Sequence, residues 1–278
     1  MTLQFATRND AIIAGYVPFL VATPQNRPYF DTAPFGLSIA EREIIDPMRL
    51  ESKTFLHLLQ RLDQLTFGPE GMPMPLWIFY DCSELPGGIF GFGRYADALD
   101  ATLLAEYGVP AEYHGLVPFS MYIAIPMSRP GDWMGHNLAS LSPTFPELGL
   151  RGLGAITKAL ALKVYRVEQF YGVTQWESKA LYIHTKFGPL GLTTAFTPAH
   201  STPHSLTYSH AVDEACIRAA CGDPTVTLDY PPAELYLDSL DEKGMIELQE
   251  QIEAGERFAI VGPPERYENG VRHPIARR

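Results

Sequence analysis

Prolines and glycines punctuate this chain so often that it must fold from short elements: 24 prolines and 23 glycines are spread over 278 residues. Proline lacks an N–H and clashes with the preceding helical turn, and glycine ends helices and permits turns. Clusters at 68–75, 86–93, 128–131 and 142–149 are read as loops. No repeat with a period of about 20–50 residues is present, which excludes a solenoid. The longest uncharged apolar runs, 11–22 and 116–127, each contain a proline and span about 12 residues, short of the ~20 that a membrane-crossing helix needs. Both are read as buried strands.

The chain is long enough, and at 46% hydrophobic residues apolar enough, to bury a core without disulfides. Its three cysteines, Cys82, Cys216 and Cys221, form no C-x-x-C pair, so neither a disulfide framework nor a structural zinc site is expected. A reducing, cytoplasmic compartment is the expectation. Residues 1–10 lack the basic and then apolar pattern of a signal peptide. A net charge of -11 makes nucleic acid and anionic membranes poor partners.

Residues 51–67 place Phe55, Leu58, Leu59, Leu62 and Leu65 at helical spacing, and Gly68-Pro69 stops the helix. Residues 76–82, short and aromatic, predict a strand, and 95–107 a helix ended by Gly108. Strands at 117–127 and 133–142 would form an antiparallel hairpin. A long helix is expected over 154–171, ended by Gly172, followed by strands at 173–176, 192–197 and 205–208. Beyond residue 213 the composition turns acidic and polar, with a helix at 238–254, a strand at 258–261 and a loose basic tail at 276–278. The expected fold is mixed α/β (α+β), a central antiparallel-rich sheet flanked by helices. Its expected organisation is an N-terminal extension (1–50), a core domain (51–212) and a C-terminal appendage (213–278).

The first chemical candidate is Leu150-Arg151-Gly152-Leu153-Gly154-Ala155-Ile156, a glycine turn opening the long helix. Backbone N–H groups and the positive helix end can hold a pyrophosphate there, with Arg151 adding charge, although two glycines can equally serve to shape the junction. Downstream lies Glu177-Ser178-Lys179-Ala180-Leu181-Tyr182-Ile183-His184-Thr185-Lys186-Phe187-Gly188.

Together these segments resemble the Gcn5-related N-acetyltransferase superfamily, which carries Q/R-x-x-G-x-G/A at the start of its central helix and N-x-x-A-x-x-x-Y-x-K-x-G-F after the next strand. Arg151 and Gly154 match the first motif, and Ala180, Lys186 and Gly188 the second. Ile156, Glu177, His184 and Pro189 depart from it. The similar region is roughly 51–210. The resemblance implies a V-shaped splay between two central strands, acetyl-coenzyme A or another acyl-coenzyme A as cosubstrate, and transfer to a small amine. It places the diphosphate on Arg151, Gly152, Leu153, Gly154 and Ala155, with Lys186 also at the cofactor. His184 would stand in for the family's tyrosine as proton donor to the departing sulfur, and His136 would lie near the thioester as base. An imidazole can donate near neutral pH. The same departures leave open a thioester decarboxylase and a ligand-binding protein without turnover.

A competing feature is the loop holding His200, His204 and His210, where a metal could find imidazoles. Ser201-Thr202-Pro203 prevents a helix from aligning His200 with His204, so the loop is read as substrate-lining and no metal is assigned. Pro86-Gly87-Gly88-Ile89-Phe90-Gly91-Phe92-Gly93 has its glycines in the wrong order for a dinucleotide fingerprint. Cys82 has no basic neighbour, and no G-x-S-x-G occurs. The substrate is expected to be a small molecule, and exposed aromatic loops would be compatible with a homodimer.

Overall fold

The computed structural model describes residues 2–84, 87–142, 144–145, 148–268 and 270–278. Pro86 of the loop expected at 86–93, and Pro143, Pro146 and Glu147 of that expected at 142–149, lie outside the described residues. The helices are α1 (Asp10–Gly15), α2 (Lys53–Phe67), α3 (Leu76–Glu84), α4 (Ala101–Tyr107), α5 (Leu153–Val164), α6 (Leu181–His184), α7 (Glu214–Cys221) and α8 (Glu242–Glu253). The strands are β1 (Val17–Val21), β2 (Ile44–Ile45), β3 (Gly88–Tyr95), β4 (Leu116–Pro126), β5 (Asp132–Ser140), β6 (Gln169–Gln175), β7 (Leu190–Thr194), β8 (Ser205–Ala211), β9 (Leu235–Asp238), β10 (Phe258–Ile260), β11 (Glu265–Tyr267) and β12 (Gly270–Arg277).

All the described strands join one sheet in the order β2-β1-β3-β4-β5-β6-β8-β7-β10-β12-β11, with β9 also on β12. Pairing is antiparallel except at β1/β2 and β5/β6. The sheet runs through residues 50 and 212 without a break, because β1 pairs with β3 and β10 with β7. A mixed α/β fold with a mostly antiparallel sheet is therefore what forms. β4 is buried along nearly its whole length, which is why it reads as a continuous apolar run. Helices cover both faces: Phe19 of β1 meets Phe55 of α2, while Ser120 of β4 shares a hydrogen bond with Thr157 of α5. Among the described residues no helix is long and apolar enough to cross a membrane.

The parallel strands β5 and β6 pair over only three positions, Asp132↔Gln169, Trp133↔Phe170 and Met134↔Tyr171. Each then continues without the other. At the divergence β5 also slips against β4, from Ile123↔Asn137 to Ala124↔Gly135, so that His136 is the extra residue of a β-bulge. The helix α5 is the crossover that parallel strands require.

Several sequence expectations are corrected. Residues 76–84 form a helix, not a strand: Phe79, Cys82 and Ser83 are buried at helical spacing while Trp77 and Asp81 face solvent. The apolar run 11–22 divides into α1 and β1. The segment 95–107 has a single 3-10 turn at Ala96–Ala98 and becomes α-helical only from Ala101, where Asp100 caps the first turn. The long helix stops at Val164, not Tyr171. Arg166 takes the left-handed conformation (φ 55°), its N–H bonds to Lys163 O and the Val167 N–H to Leu162 O, a Schellman ending with arginine where glycine is usual. The tail at 276–278 is not loose, since Ala276 and Arg277 lie within β12.

The glycine-rich segment 88–95 is likewise no loop but a buried strand. A Cβ on Gly91 would overlap the carbonyl oxygen of Ser120 and the ring of Phe19. Glycine here lets β3 pack under bulky neighbours. Gly91→Ala is expected to lower stability in urea unfolding by about 1–3 kcal/mol, the usual cost of overpacking. Gly15→Ala, with nothing near its Cβ, is expected to shift it by less than about 0.5 kcal/mol.

Candidate active site at the splayed strands

The glycine turn sits at the N-terminus of α5. Gly152 is its N-cap with φ 100°, left-handed, and no side chain caps the helix. The Leu153 N–H is used by Leu150 O and the Ile156 N–H by Gly152 O. The N–H groups of Gly154 and Ala155 have no acceptor among the described residues, as expected of an uncapped first turn. Leu153, Gly154 and Ala155 are buried, whereas Arg151 is exposed. Asn9, held by its Nδ2 bond of 2.9 Å to Cys221 O, walls one side: its Oδ1 lies 3.1 Å from where a Gly152 Cβ would be.

Lys186 is exposed and lies within electrostatic reach of Arg151. Its pKa is lowered by partial desolvation and then by the nearby Arg151 cation. Neither cation takes part in an ion pair among the described residues. In a chain of net charge -11, two unpaired cations and unused N–H donors at a helix start are groups that can receive an anion.

The bulge turns His136 and Asn137 of β5 toward Asp63 of α2. Asn137 Nδ2 donates to Asp63 Oδ1 at 2.7 Å, and the Met74 N–H donates to Asp63 Oδ2 at 2.6 Å. Burial raises the Asp63 pKa against the pull of these donors and of His136. His136 is exposed, but crowding by its neighbours lowers its pKa, with Asp63 opposing the shift. The imidazole is therefore neutral near pH 7 and able to accept a proton. Asn137 Oδ1 is buried without a partner among the described residues. Asp63 and Asn137 were missed from the sequence, although Asp63 falls four residues after Leu59 on the apolar stripe of its helix, where a carboxylate is out of place.

His184 is placed elsewhere. Only 7% exposed, it turns inward on α6, with Nδ1 2.9 Å from Nζ of the fully buried Lys158 and its ring 5.2 Å from Tyr208. Burial, then the charges of Lys158 and His210, hold its pKa well below the ordinary value. The structure thus brings Arg151, Gly152, Leu153, Gly154, Ala155 and Lys186 together, sets His136 at the bulge, and puts His184 in the core. Of the histidine loop, His200 Nδ1 bonds to Thr202, His204 faces Glu242 at 3.0 Å, and His210 is buried between Phe170 and Phe187. These three do not converge, and no group of metal ligands occurs among the described residues. Burial pushes the Cys82 thiol up to about 11, the opposite of a reactive thiolate. Two surface concavities, of about 340 Å³ beside Lys163 and Arg166 and about 480 Å³ beside Arg257 and Arg278, touch none of the candidate residues.

No protein-family model matches the chain, and no curated protein does. Among solved structures, it is similar to the ribosomal-protein-S18-alanine N-acetyltransferase of Escherichia coli, at 11% identity and a TM-score of 0.39, over 58% of this chain and 89% of that one. An aminoglycoside 6'-acetyltransferase type Ii aligns at 14% identity and a TM-score of 0.37, over 60% and 94%. The aminoglycoside 6'-N-acetyltransferase of Enterococcus faecium aligns at 15% and 0.34, over 59% and 94%.

The buried bases carry a consequence for stability. His210, driven down to about 3 by burial, and His184 are both less basic folded than unfolded. The unfolded state therefore binds more protons between about pH 3 and 6.5, and stability falls as pH falls through that window. With its value of about 3, His210 is expected to cost about 1–2 kcal/mol between about pH 6.5 and pH 5, and His184 adds a loss of the same sign. Urea unfolding across pH checks this, and His210→Phe is expected to flatten the slope by about one proton.

Proposed function

We propose that this chain is an acyl-coenzyme A-dependent acyltransferase, acting from acetyl-coenzyme A or another acyl-coenzyme A on a small amine. The observation that carries the reading is the three-position pairing of β5 and β6 above an uncapped helix start flanked by Arg151 and Lys186. The residues fit the cosubstrate. The N–H groups of Gly154 and Ala155, with Arg151 and Lys186, would hold its diphosphate. The open edge of β5 beyond Met134 offers backbone groups to an extended amide-bearing arm, as an added strand would use them. The unpartnered Asn137 Oδ1 can accept one more N–H.

The bound thioester supplies an acyl carbon already activated for attack. His136, neutral at pH 7, takes a proton from the incoming ammonium at its imidazole nitrogen, and Asp63 stabilises the imidazolium that results. His136→Ala is expected to cut turnover by about 10²–10⁴-fold with coenzyme A affinity retained. Activity should rise with pH on the acid side, and Asp63→Asn, by removing the charge that supports the imidazolium, should move that limb to lower pH. Pre-steady-state rates across pH measure both.

Binding is tested by calorimetry with coenzyme A. Arg151→Glu is expected to weaken it at least about tenfold, or 1.4 kcal/mol, and a bulky residue at Gly154 to abolish it. Unchanged affinity in both variants overturns the reading. The inward placement of His184 favours a second reading, a coenzyme A-binding protein without turnover. Absence of turnover with a panel of amines, despite tight binding, would select it.

A further inference from the structure

Lys158 lies one helical turn past Gly154 on α5, completely buried. Its Nζ is 4.0 Å from the ring centroid of Phe170 on β6 and 4.5 Å from that of Phe187, which follows α6. The other titratable groups packed there are His184, His210 and Tyr208, and Cys216 on α7, whose thiol burial pushes up to about 11. None of these is an anion near neutral pH. A buried amine without a carboxylate is costly, and an apolar side chain of the same length would pack there more cheaply.

What the amine does contact is His184 Nδ1, at 2.9 Å. When it carries its proton, the state that the faces of Phe170 and Phe187 favour, the amine has donors only; it then makes Nδ1 the acceptor and leaves the imidazole proton on Nε2. Nε2 has no partner among the described residues and is not fully enclosed, so it is the nitrogen that keeps contact with solvent. We propose that Lys158 is a positioning residue that fixes His184 as the Nε2–H tautomer and backs it as a proton relay.

The relay rests on the acyltransferase reading. As the C–S bond breaks, its electron pair stays on sulfur, and the Nε2 proton passes to that sulfur while an ammonium proton passes from Lys158 Nζ to Nδ1. Lys158 ends as a neutral amine, His184 as the neutral Nδ1–H tautomer, and the sulfur as a thiol. Water then returns a proton to Nε2 as Nδ1 gives its own back to Nζ. Burial lowers the Lys158 pKa, which makes the ammonium a better donor, while the two aromatic faces favour retention of its charge. His184 thereby acts from a nearly buried position.

The test is ¹⁵N NMR of the histidine-labelled full-length chain without ligand, the His184 signals being assigned by their loss in His184→Gln. The parent is expected to show Nε2 protonated and Nδ1 unprotonated, and Lys158→Met to lose that preference while melting no lower. A parent Nδ1–H tautomer, or the same Nε2–H preference in Lys158→Met, overturns the proposal. Should Lys158→Met fail to fold, the parent spectrum alone decides. Coenzyme A affinity is measured alongside. Its absence in the parent would strike the acyltransferase reading and the sulfur as proton acceptor, whereas the wrong tautomer would strike the role of Lys158 alone.

Discussion

Everything about the candidate site follows from how briefly two parallel strands stay together. β5 and β6 hold hands over Asp132–Gln169, Trp133–Phe170 and Met134–Tyr171 and then part. Phe170, in the middle one of these pairs, lies 6.2 Å from both Tyr122 and Tyr208, an aromatic layer that spans the neighbouring strands where the two are still joined. The bulge at His136 bends β5 away at the same level. Two consequences are fixed together: a strand edge with unpaired backbone groups, and a crossover helix whose positive end lies beside it.

The site separates two kinds of basic group by their surroundings. Arg151 and Lys186 are in contact with solvent, unpaired and close together, an arrangement in which each raises the value of an incoming anion to the other. His136 is held as a neutral base by modest crowding, with one carboxylate behind it. Lys158, His184 and His210 are instead packed among rings, where desolvation outweighs every other influence on their protonation.

How much of this could be read beforehand depends on whether a residue's role is local. The stripe of α2, the β4–β5 hairpin and the turn Arg151–Gly154 are encoded within short windows, and all three form. The helix α3 was misread because an apolar stretch as short as residues 76–82 satisfies both the period of a strand and that of a buried helix. β3 was misread because glycines that break a loop and glycines that admit Phe19 look alike in sequence. The end of α5 was hidden because Arg166 does what glycine ordinarily does. Asp63 and the inward turn of His184 depend on partners 74 and 26 residues away, Asn137 and Lys158, which no local pattern reveals.

The outermost strands bear on how such a sheet behaves in a crowded solution. β2 is two residues long, β11 three and β9 four, and the last two carry Glu265, Arg266 and Asp238. Rims this short, one of them also charged, give a neighbouring chain almost no ladder to extend, so growth by strand addition is discouraged at both margins. A broad sheet with such rims can stay dispersed without surrendering the long, aromatic-rich strands at its centre.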